Sequence, residues 1–335
     1  MACQADAGLQ AEAALTQTAG SVLLLGATGT IGRATALALV AAGHPVSALV
    51  RKGTTARTLP GCALVHGDVT QPGSVAAALA QLPCAAVVSC LASRTGTPDD
   101  ARAIDHHAHS LALQAAVAAG VGQFVLLSAI CVQKPLLAFQ QAKLAFEAEL
   151  QAAPLAWSIV RATAFFKSLS GQVARVQAGR PFLVFGDGRL TACKPISDAD
   201  LGRFLARCLA DPTLHNRILP IGGPGPAVTP MDQVAMLERL LNRPVPVRRV
   251  PVRMMDAVIA VLGALGHLSP RMAAKAELAR IGRYYATESM LLRDPALGAY
   301  DAEATPEFGH DRLEDHYAAL LRGDATDDRG THAVF

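Results

Sequence analysis

The fold is decided by one stretch near the start of the chain, Leu23-Leu24-Leu25-Gly26-Ala27-Thr28-Gly29-Thr30-Ile31-Gly32. An apolar strand breaks into a turn with three glycines, and a helix-compatible sequence follows. Gly26 can form the tight turn, Gly29 lets the backbone approach a pyrophosphate, and Gly32 lets the helix pack on the strand. The free N–H groups of the helix N-terminus favour phosphate. This order predicts a dinucleotide-binding turn rather than a purely structural one. Its candidate contacts are Gly26, Thr28, Gly29, Thr30, Ile31 and Gly32.

From residue 21 the chain alternates between strands, turns and helices. The predicted strands are 22–25, 45–50, 63–66, 86–90, 124–128 and 157–161. Helices are predicted at 31–42 and 105–119, each followed by a glycine. This alternation predicts an α/β fold, a Rossmann-type doubly wound parallel sheet with a smaller C-terminal substrate lobe.

The pattern loosens after Arg161, where glycine and proline cluster at 179–181, 186–188 and 222–226. We expect four parts. They are a flexible lead-in at 1–20, a nucleotide-binding Rossmann domain at 21–161, a substrate-binding lobe at 162–322 and a tail at 323–335. Some strands of the lobe are expected to return to the main sheet.

Composition limits the classes of partner. The chain has 335 residues, 51% of them hydrophobic and 17% charged, with a net charge of +3. Its basic residues are scattered, which argues against a nucleic-acid surface and favours small molecules. The seven cysteines are odd in number and none has C-x-x-C spacing. They predict reduced thiols in a cytosolic protein and argue against an iron–sulfur centre.

We expect residues 1–20 to be neither a signal peptide nor a transit peptide, because they contain Asp6 and Glu12 but no Lys or Arg. The most apolar run, 257–268, is too short to cross a bilayer. We interpret it as a core helix. The alternative is a surface patch that meets lipid or a lipophilic substrate.

The end of the second strand indicates which dinucleotide is bound. Many NAD enzymes carry an acidic residue there, whereas this chain has Arg51 and Lys52, which favour the 2′-phosphate of NADPH. The alternative is that both are solvated residues at a strand end. Asp68 and Val69 follow the third strand and are candidates to meet the adenine. Ala92 and Thr163 are further candidate cofactor contacts.

In its glycine turn, Ser128 and Lys143 the chain resembles the extended and atypical branch of the short-chain dehydrogenase/reductase superfamily. Those enzymes use a serine after the fifth strand and a Tyr-x-x-x-Lys helix motif, and here the tyrosine position is Phe139. The spacing keeps Phe139 and Lys143 on one helix face, but phenylalanine donates no proton, so carbonyl reduction is disfavoured. The resemblance implies that Lys143 and Ser128 are catalytic and bind the cofactor. Alternatively, Ser128 caps a strand end and Lys143 is a surface lysine.

Longer segments resemble the NADPH-dependent 3,8-divinyl (proto)chlorophyllide a 8-vinyl reductases of (bacterio)chlorophyll biosynthesis. The segments are 90–94, 124–137, 163–169, 185–188, 194–197 and 281–286, and the likeness covers the chain after the lead-in. The resemblance implies hydride transfer from NADPH that reduces the 8-vinyl group of divinyl chlorophyllide or protochlorophyllide to ethyl. We also expect a cytoplasmic protein peripheral to the photosynthetic membrane, with weak membrane or pigment-enzyme association. One departure from the wider superfamily is Ala162, where many relatives have proline.

The missing tyrosine fits this chemistry. Hydride added to the terminal vinyl carbon leaves a carbanion delocalised over the macrocycle, so no oxyanion needs a strong acid beside it. A proton must still reach the inner vinyl carbon, and its candidate sources are water, Lys143, Tyr284 and Tyr285.

An apolar macrocycle needs aromatic walls and a cation for its carboxylate. The candidate walls are Phe139, Phe165, Phe166, Tyr284 and Tyr285, and the candidate cations are Lys167 and Arg283. Core packing is the alternative for each aromatic residue, and a partner carboxylate in its own lobe is the alternative for Arg283. Among the histidines at 106, 107 and 109, only His106 and His109 have the spacing of a ligand pair on a helix, and this pair has no obvious third partner, so we expect no metal site.

Two other functions remain open. One is a non-catalytic NADP(H)-binding sensor or pigment-complex assembly factor. The other is a reductase of a different conjugated alkene.

Overall fold

A computed structural model describes residues 20–82 and 84–325. Its strands are β1 Val22–Leu25, β2 Val46–Val50, β3 Cys62–His66, β4 Ala86–Ser89, β5 Gln123–Ala129, β6 Ala156–Ala162, β7 Phe182–Phe185, β8 Arg217–Ile221, β9 Val247–Val250, β10 Leu292–Arg293 and β11 Tyr300–Asp301. Its α-helices are α1 Thr30–Ala41, α2 Ser74–Gln81, α3 His109–Ala118, α4 Ala138–Ala152, α5 Phe166–Leu169, α6 Val173–Gln177, α7 Asp198–Ala210, α8 Pro230–Leu241, α9 Val252–Gly266, α10 Pro270–Thr287 and α11 Leu313–Arg322. A helical turn, Pro98–Asp100, leads into a π-helix, Ala101–Ala108, and 3₁₀ turns lie at Ala56–Thr58, Ile130–Gln133, Ser170–Gln172 and Pro212–Leu214.

The main sheet has seven strands in the order β3-β2-β1-β4-β5-β6-β8. Every pairing in it is parallel. One apolar layer packs α1 and α7 on one face, through residues such as Leu39 and Leu205. A second layer packs α2, α3 and α4 on the other face, through Leu79, Leu113 and Phe146. The predicted Rossmann-type doubly wound fold is therefore confirmed, because both faces of a parallel sheet are covered by helices.

The six predicted strands are all present, and no strand end shifts by more than one residue. The predicted helix 105–119 proves to be two segments, because a π-helix ends at Ala108 and α3 begins at His109. The extra residue per turn re-aims the side chains of this segment, and such π-helical stretches are frequent at functional sites.

The chain after Ala162 adds β8 to the edge of the main sheet and α7 to its face. It also forms a two-stranded sheet, β7 with β9, over a separate apolar cluster that includes Val184, Leu237 and Tyr317. The division at residue 161 stays a proposal. The predicted lead-in and tail lie almost wholly outside the described residues.

The predicted core helix at 257–268 is wrong. It lies largely in α9, which contains no buried residue. The reason is packing, since among the described residues α9 packs on α10 along one side and its other side stays exposed. None of the helices in residues 20–82 and 84–325 is long and apolar enough to cross a membrane. The six cysteines in these ranges are free thiols, as predicted.

Candidate functional site

The glycine turn has the geometry of a phosphate cradle. Gly26 has a φ of +75°, and a Cβ there would lie 2.7 Å from the Cys90 carbonyl oxygen. A Cβ on Gly32 would collide with the Gly26 carbonyl. A Cβ on Gly29 would make only ordinary contact, 3.5 Å from the Gly26 oxygen, so the protein itself does not require glycine at 29. No side chain of the described residues caps the first turn of α1. Both features fit a pyrophosphate that approaches this backbone.

Lys167 lies at the same cradle. Its Nζ donates to Thr30 Oγ1 at 2.6 Å, where Thr30 is the first residue of α1. Beside it, burial raises the pKa of Asp198, and the charges of Lys167 and Arg33 oppose this shift. Lys167 was predicted to meet the substrate carboxylate. The structure places its ammonium at the first residue of α1, beside the glycine turn, and its contact with substrate or cofactor stays a prediction.

The predicted adenine end lies past β2 and β3. Arg51 and Lys52 follow β2 and are exposed, and within the described ranges neither forms an ion pair. The Asp68 carboxylate accepts from Thr70 N at 2.9 Å and from Thr70 Oγ1 at 2.8 Å, and these hydrogen bonds lower its pKa. Two exposed cations are thus available to a 2′-phosphate, while Asp68 holds its own turn.

Lys143 is a buried residue with a buried partner. On α4, Phe139, Lys143 and Glu147 repeat every four residues and share one face. Lys143 Nζ lies 2.9 Å from Asp105 Oδ1, and the two side chains are 10% and 0% exposed. Asp105 lies on the π-helix, and Ser93 N also donates to its Oδ1, at 3.2 Å. The interpretation of Lys143 as a surface lysine is therefore wrong.

Ser128 has a partner inside the protein. Its hydroxyl donates to Glu147 Oε1 at 2.6 Å, and Arg161 Nε donates to the same carboxylate at 3.2 Å. Ser128 and Arg161 are cross-strand neighbours on β5 and β6. The only hydroxyl hydrogen of Ser128 is thus engaged, which argues against the predicted catalytic role. Neither Asp105 nor Glu147 was singled out from the sequence as a functional residue. For Glu147 the sequence offered one signal, its position one helical turn after Lys143.

Three of the five predicted aromatic residues meet in one cluster. Phe139, Tyr284 and Tyr285 pack there with Ile281 and Cys131, and the two tyrosine rings are 5.8 Å apart at 87°. The Tyr284 hydroxyl can donate to the Cys131 carbonyl at 2.9 Å or to that of Lys134 at 3.1 Å. Burial raises the pKa of both tyrosines. Tyr284 therefore fits a wall better than an acid.

The other predicted substrate residues lie elsewhere. Phe166 packs in the cluster of Val184 and Tyr317, and Phe165 packs against the core of the main sheet. Arg283 forms an ion pair with Asp256 of α9. This pair matches the alternative given above for Arg283, a partner carboxylate within its own lobe.

Comparisons with known proteins identify the chain. A family model described as NAD(P)H-binding matches residues 26–212. The "Divinyl chlorophyllide a 8-vinyl-reductase, chloroplastic" of Zea mays is 48% identical, over 96% of this chain and 84% of that protein. The chain belongs to the divinyl chlorophyllide a 8-vinyl-reductase family.

More distant comparisons agree on the fold. A "Photosystem II assembly factor Ycf39" from Trieres chinensis is 28% identical over 72% of this chain and 76% of that protein. The Escherichia coli NADPH-dependent quinone oxidoreductase QOR2, solved with NADPH, superposes with a TM-score of 0.66 at 16% identity, covering 90% of this chain and 99% of that one. This member of the 8-vinyl-reductase family thus has an NAD(P)H-binding Rossmann-type fold.

Two of the histidines at 106, 107 and 109 have partners within the protein. His109 Nδ1 donates to the Ile104 carbonyl at 2.9 Å, and its Nε2 lies 2.9 Å from Ser89 Oγ. Burial, and then the charge of Lys143, lowers the pKa of His109 to about 4, so the ring is neutral. His106 instead pairs with Glu149 at 2.6 Å.

Within residues 20–82 and 84–325, one group could in principle hold a metal ion, formed by Asp200, His310 and Asp311. The Asp200 carboxylate there already accepts from His310 N, Asp311 N and the Arg203 guanidinium. These hydrogen bonds connect α7 to the segment before α11, which is a structural role for the Asp200 carboxylate.

Proposed function

We propose that this protein reduces the 8-vinyl group of 3,8-divinyl chlorophyllide a, or of the protochlorophyllide, to an ethyl group with NADPH. The observation that carries the proposal is the site on α4, where the buried Lys143 is kept and Phe139 stands where a proton-donating tyrosine would be. Family membership supplies the substrate class. The exposed pair Arg51 and Lys52 favours NADPH over NADH.

Each group of residues in the proposed site has its own role. Bound NADPH supplies a hydride, and the vinyl group takes up that hydride and one proton. The cradle at 26–32 and Lys167 hold the phosphates, and Lys143 holds the nicotinamide ribose. The cluster of Phe139, Tyr284 and Tyr285 forms an apolar wall that excludes water.

Lys143 is our proposed proton relay. The Tyr284 hydrogen is donated to backbone carbonyls, and burial raises the pKa of both tyrosines, which makes them poor acids. The Lys143 ammonium carries exchangeable protons and is held by Asp105. A relay of this kind suffices because the negative charge left on the macrocycle is delocalised.

Anaerobic incubation of the purified protein with NADPH and 3,8-divinyl chlorophyllide a tests the proposal. We expect a blue shift of the Soret band and a product heavier by two hydrogens, both dependent on NADPH. Two controls should give little product. One is the wild-type protein with NADH in place of NADPH, and the other is a Lys143→Met variant with NADPH. Tight NADPH binding with no reduction of 3,8-divinyl chlorophyllide a, or of the protochlorophyllide in a parallel incubation, would overturn the proposal.

A second candidate function is non-catalytic, in pigment-complex assembly. The observation in its favour is the 28% identity with a protein named as a photosystem II assembly factor. The buried Lys143–Asp105 pair favours turnover instead, because a site that only binds the dinucleotide does not require a buried ammonium. Pigment-dependent NADPH oxidation separates the two.

We also propose a cytoplasmic location, peripheral to the photosynthetic membrane and with weak association with pigment enzymes. The name of the maize relative places that protein in the chloroplast. Fractionation of cells with a tagged copy would test the location, and recovery only with integral membrane proteins would contradict it.

A further inference from the structure

Helix α9 carries an exposed apolar stripe. Met254, Val258, Val261 and Leu265 are 53%, 46%, 60% and 44% exposed, and Leu268 just beyond the helix is 85% exposed. Their alternating spacing of four and three residues places them on one face of the helix. The part within α9 is about 16 Å long at 1.5 Å per residue.

The opposite side of α9 is apolar too. It packs on α10, where a Cβ added to Gly266 would lie 3.1 Å from the Ala273 Cα, so the two backbones approach closely. A helix that is apolar on both sides is normally covered on both sides. In the part of the chain that the structure describes, only one side is covered.

The surroundings of the stripe are basic. Residues 248–287 contain seven Arg and Lys residues and two acidic residues, a net charge of +5, whereas the whole chain has +3. Both acidic residues are neutralised, Asp256 by Arg283 and Glu277 by Arg280. Five other cations are exposed, and none of them forms an ion pair within residues 20–82 and 84–325: Arg248, Arg249, Arg253, Arg271 and Lys275.

We propose that the α9–α10 hairpin docks on an anionic lipid bilayer. The stripe enters the boundary between headgroups and acyl chains, and the surrounding cations meet lipid phosphates or sulfonates. A second copy of the chain fits less well, because a two-fold contact through this face would bring two segments of charge +5 together.

The docking surface connects to the proposed site. The same helix, α10, starts beside the stripe at Pro270 and carries Tyr284 and Tyr285 of the aromatic wall near its other end. This step rests on the proposed function. An amphiphilic macrocycle dissolved in the bilayer would then enter the site from the surface on which the hairpin lies.

Vesicle co-sedimentation with the full chain tests docking without any pigment, so its outcome is separate from that of the reductase assay. The probes are vesicles of phosphatidylcholine alone and of phosphatidylcholine with about one third phosphatidylglycerol. We expect binding to the anionic vesicles that weakens in about 0.5 M salt. The double variant Val261→Asp, Leu265→Asp should lose about tenfold in binding. The control is Leu37→Asp, since Leu37 is an equally exposed leucine on α1, at 56%.

NADPH binding by the double variant checks that this variant folds. If it does not fold, the charge reversal Arg271→Glu, Lys275→Glu is the second test, and it should also weaken vesicle binding. The proposal is overturned if the wild-type chain does not bind anionic vesicles, or if these variants bind them as well as the wild type does. It is also overturned if light scattering finds a dimer that the same substitutions dissociate, since the stripe would then be a self-association interface.

Discussion

Lys143 and Asp105 form a buried ion pair, with 2.9 Å between Nζ and Oδ1. Asp105 Oδ2 is buried and has no hydrogen-bond partner among the described residues. A lone buried ammonium would be strongly unfavourable, and the Asp105 carboxylate compensates it in this apolar site. The π-helix carries Asp105 to α4, and Asp105 is therefore a positioning residue for Lys143.

Replacing Asp105 should impair turnover. Asp105→Asn keeps the shape and removes the charge, so we expect kcat to fall by about 10- to 100-fold, as loss of a charged hydrogen bond implies. The pH profile of kcat should also shift, which a purely structural role would not cause. The control is Asp99→Asn, at a side chain that is 97% exposed. An unchanged kcat and profile in Asp105→Asn would rule out the positioning role.

Lys167 distinguishes a cofactor role from a substrate role. Lys167→Met should raise the Kd for NADPH by about tenfold, because a charged contact with the phosphates is lost. The KM for the pigment should stay near its wild-type value. Titration of NADPH fluorescence measures the Kd and steady-state kinetics measure the KM, with Arg217→Met as the control, at an exposed cation on β8. A raised pigment KM with normal NADPH binding would return Lys167 to the substrate carboxylate.

Arg51 and Lys52 should set the preference for NADPH. In the double variant Arg51→Ala, Lys52→Ala, we expect the Kd for NADPH to rise by at least about tenfold while that for NADH changes little, because only NADPH has a 2′-phosphate. Calorimetric titration of both nucleotides measures the ratio. The control is Arg57→Ala, at an exposed residue of the next turn. Equal losses for both nucleotides would contradict the assignment.

Glu147 should matter for stability more than for chemistry. Glu147→Gln leaves Arg161 with an uncompensated charge and weakens the Ser128 bond, so we expect the free energy of unfolding to fall by about 3 kcal/mol. Glu149→Gln is the matched control, since Glu149 is 42% exposed and its loss should cost about 1 kcal/mol or less. Urea unfolding measures both. Equal effects would mean that the buried network contributes no more than a surface pair.

His109 should make the fold sensitive to acid. Its pKa is lowered from 6.5 to about 4 by burial, so the unfolded chain takes up a proton between these values and the folded chain does not. Stability is therefore lost as pH falls, by about 2 kcal/mol between pH 7.5 and 5. His109→Gln should flatten this part of the urea-unfolding profile relative to wild type. Parallel profiles would show that His109 does not carry the dependence.

The local features of the fold could be predicted from short stretches of sequence. The glycine turn and the six strands were predictable because a βα turn and a buried parallel strand each have a signature within ten or so residues. The shared face of Phe139 and Lys143 follows from helical spacing alone. Arg51 and Lys52 were placed correctly after β2 because they follow the strand directly in the chain.

Contacts between residues far apart in the chain could not be predicted, because they depend on the assembled fold. Lys167 and Thr30 are 137 residues apart, and their contact depends on the path of the chain after β6. Asp105 reaches Lys143 because a π-helix packs against α4, and no residue spacing encodes that packing. The apolar pattern of α9 is compatible with a core helix or with a surface helix. Which of the two it becomes depends on whether other elements cover it, and that is a property of the assembled fold rather than of the segment.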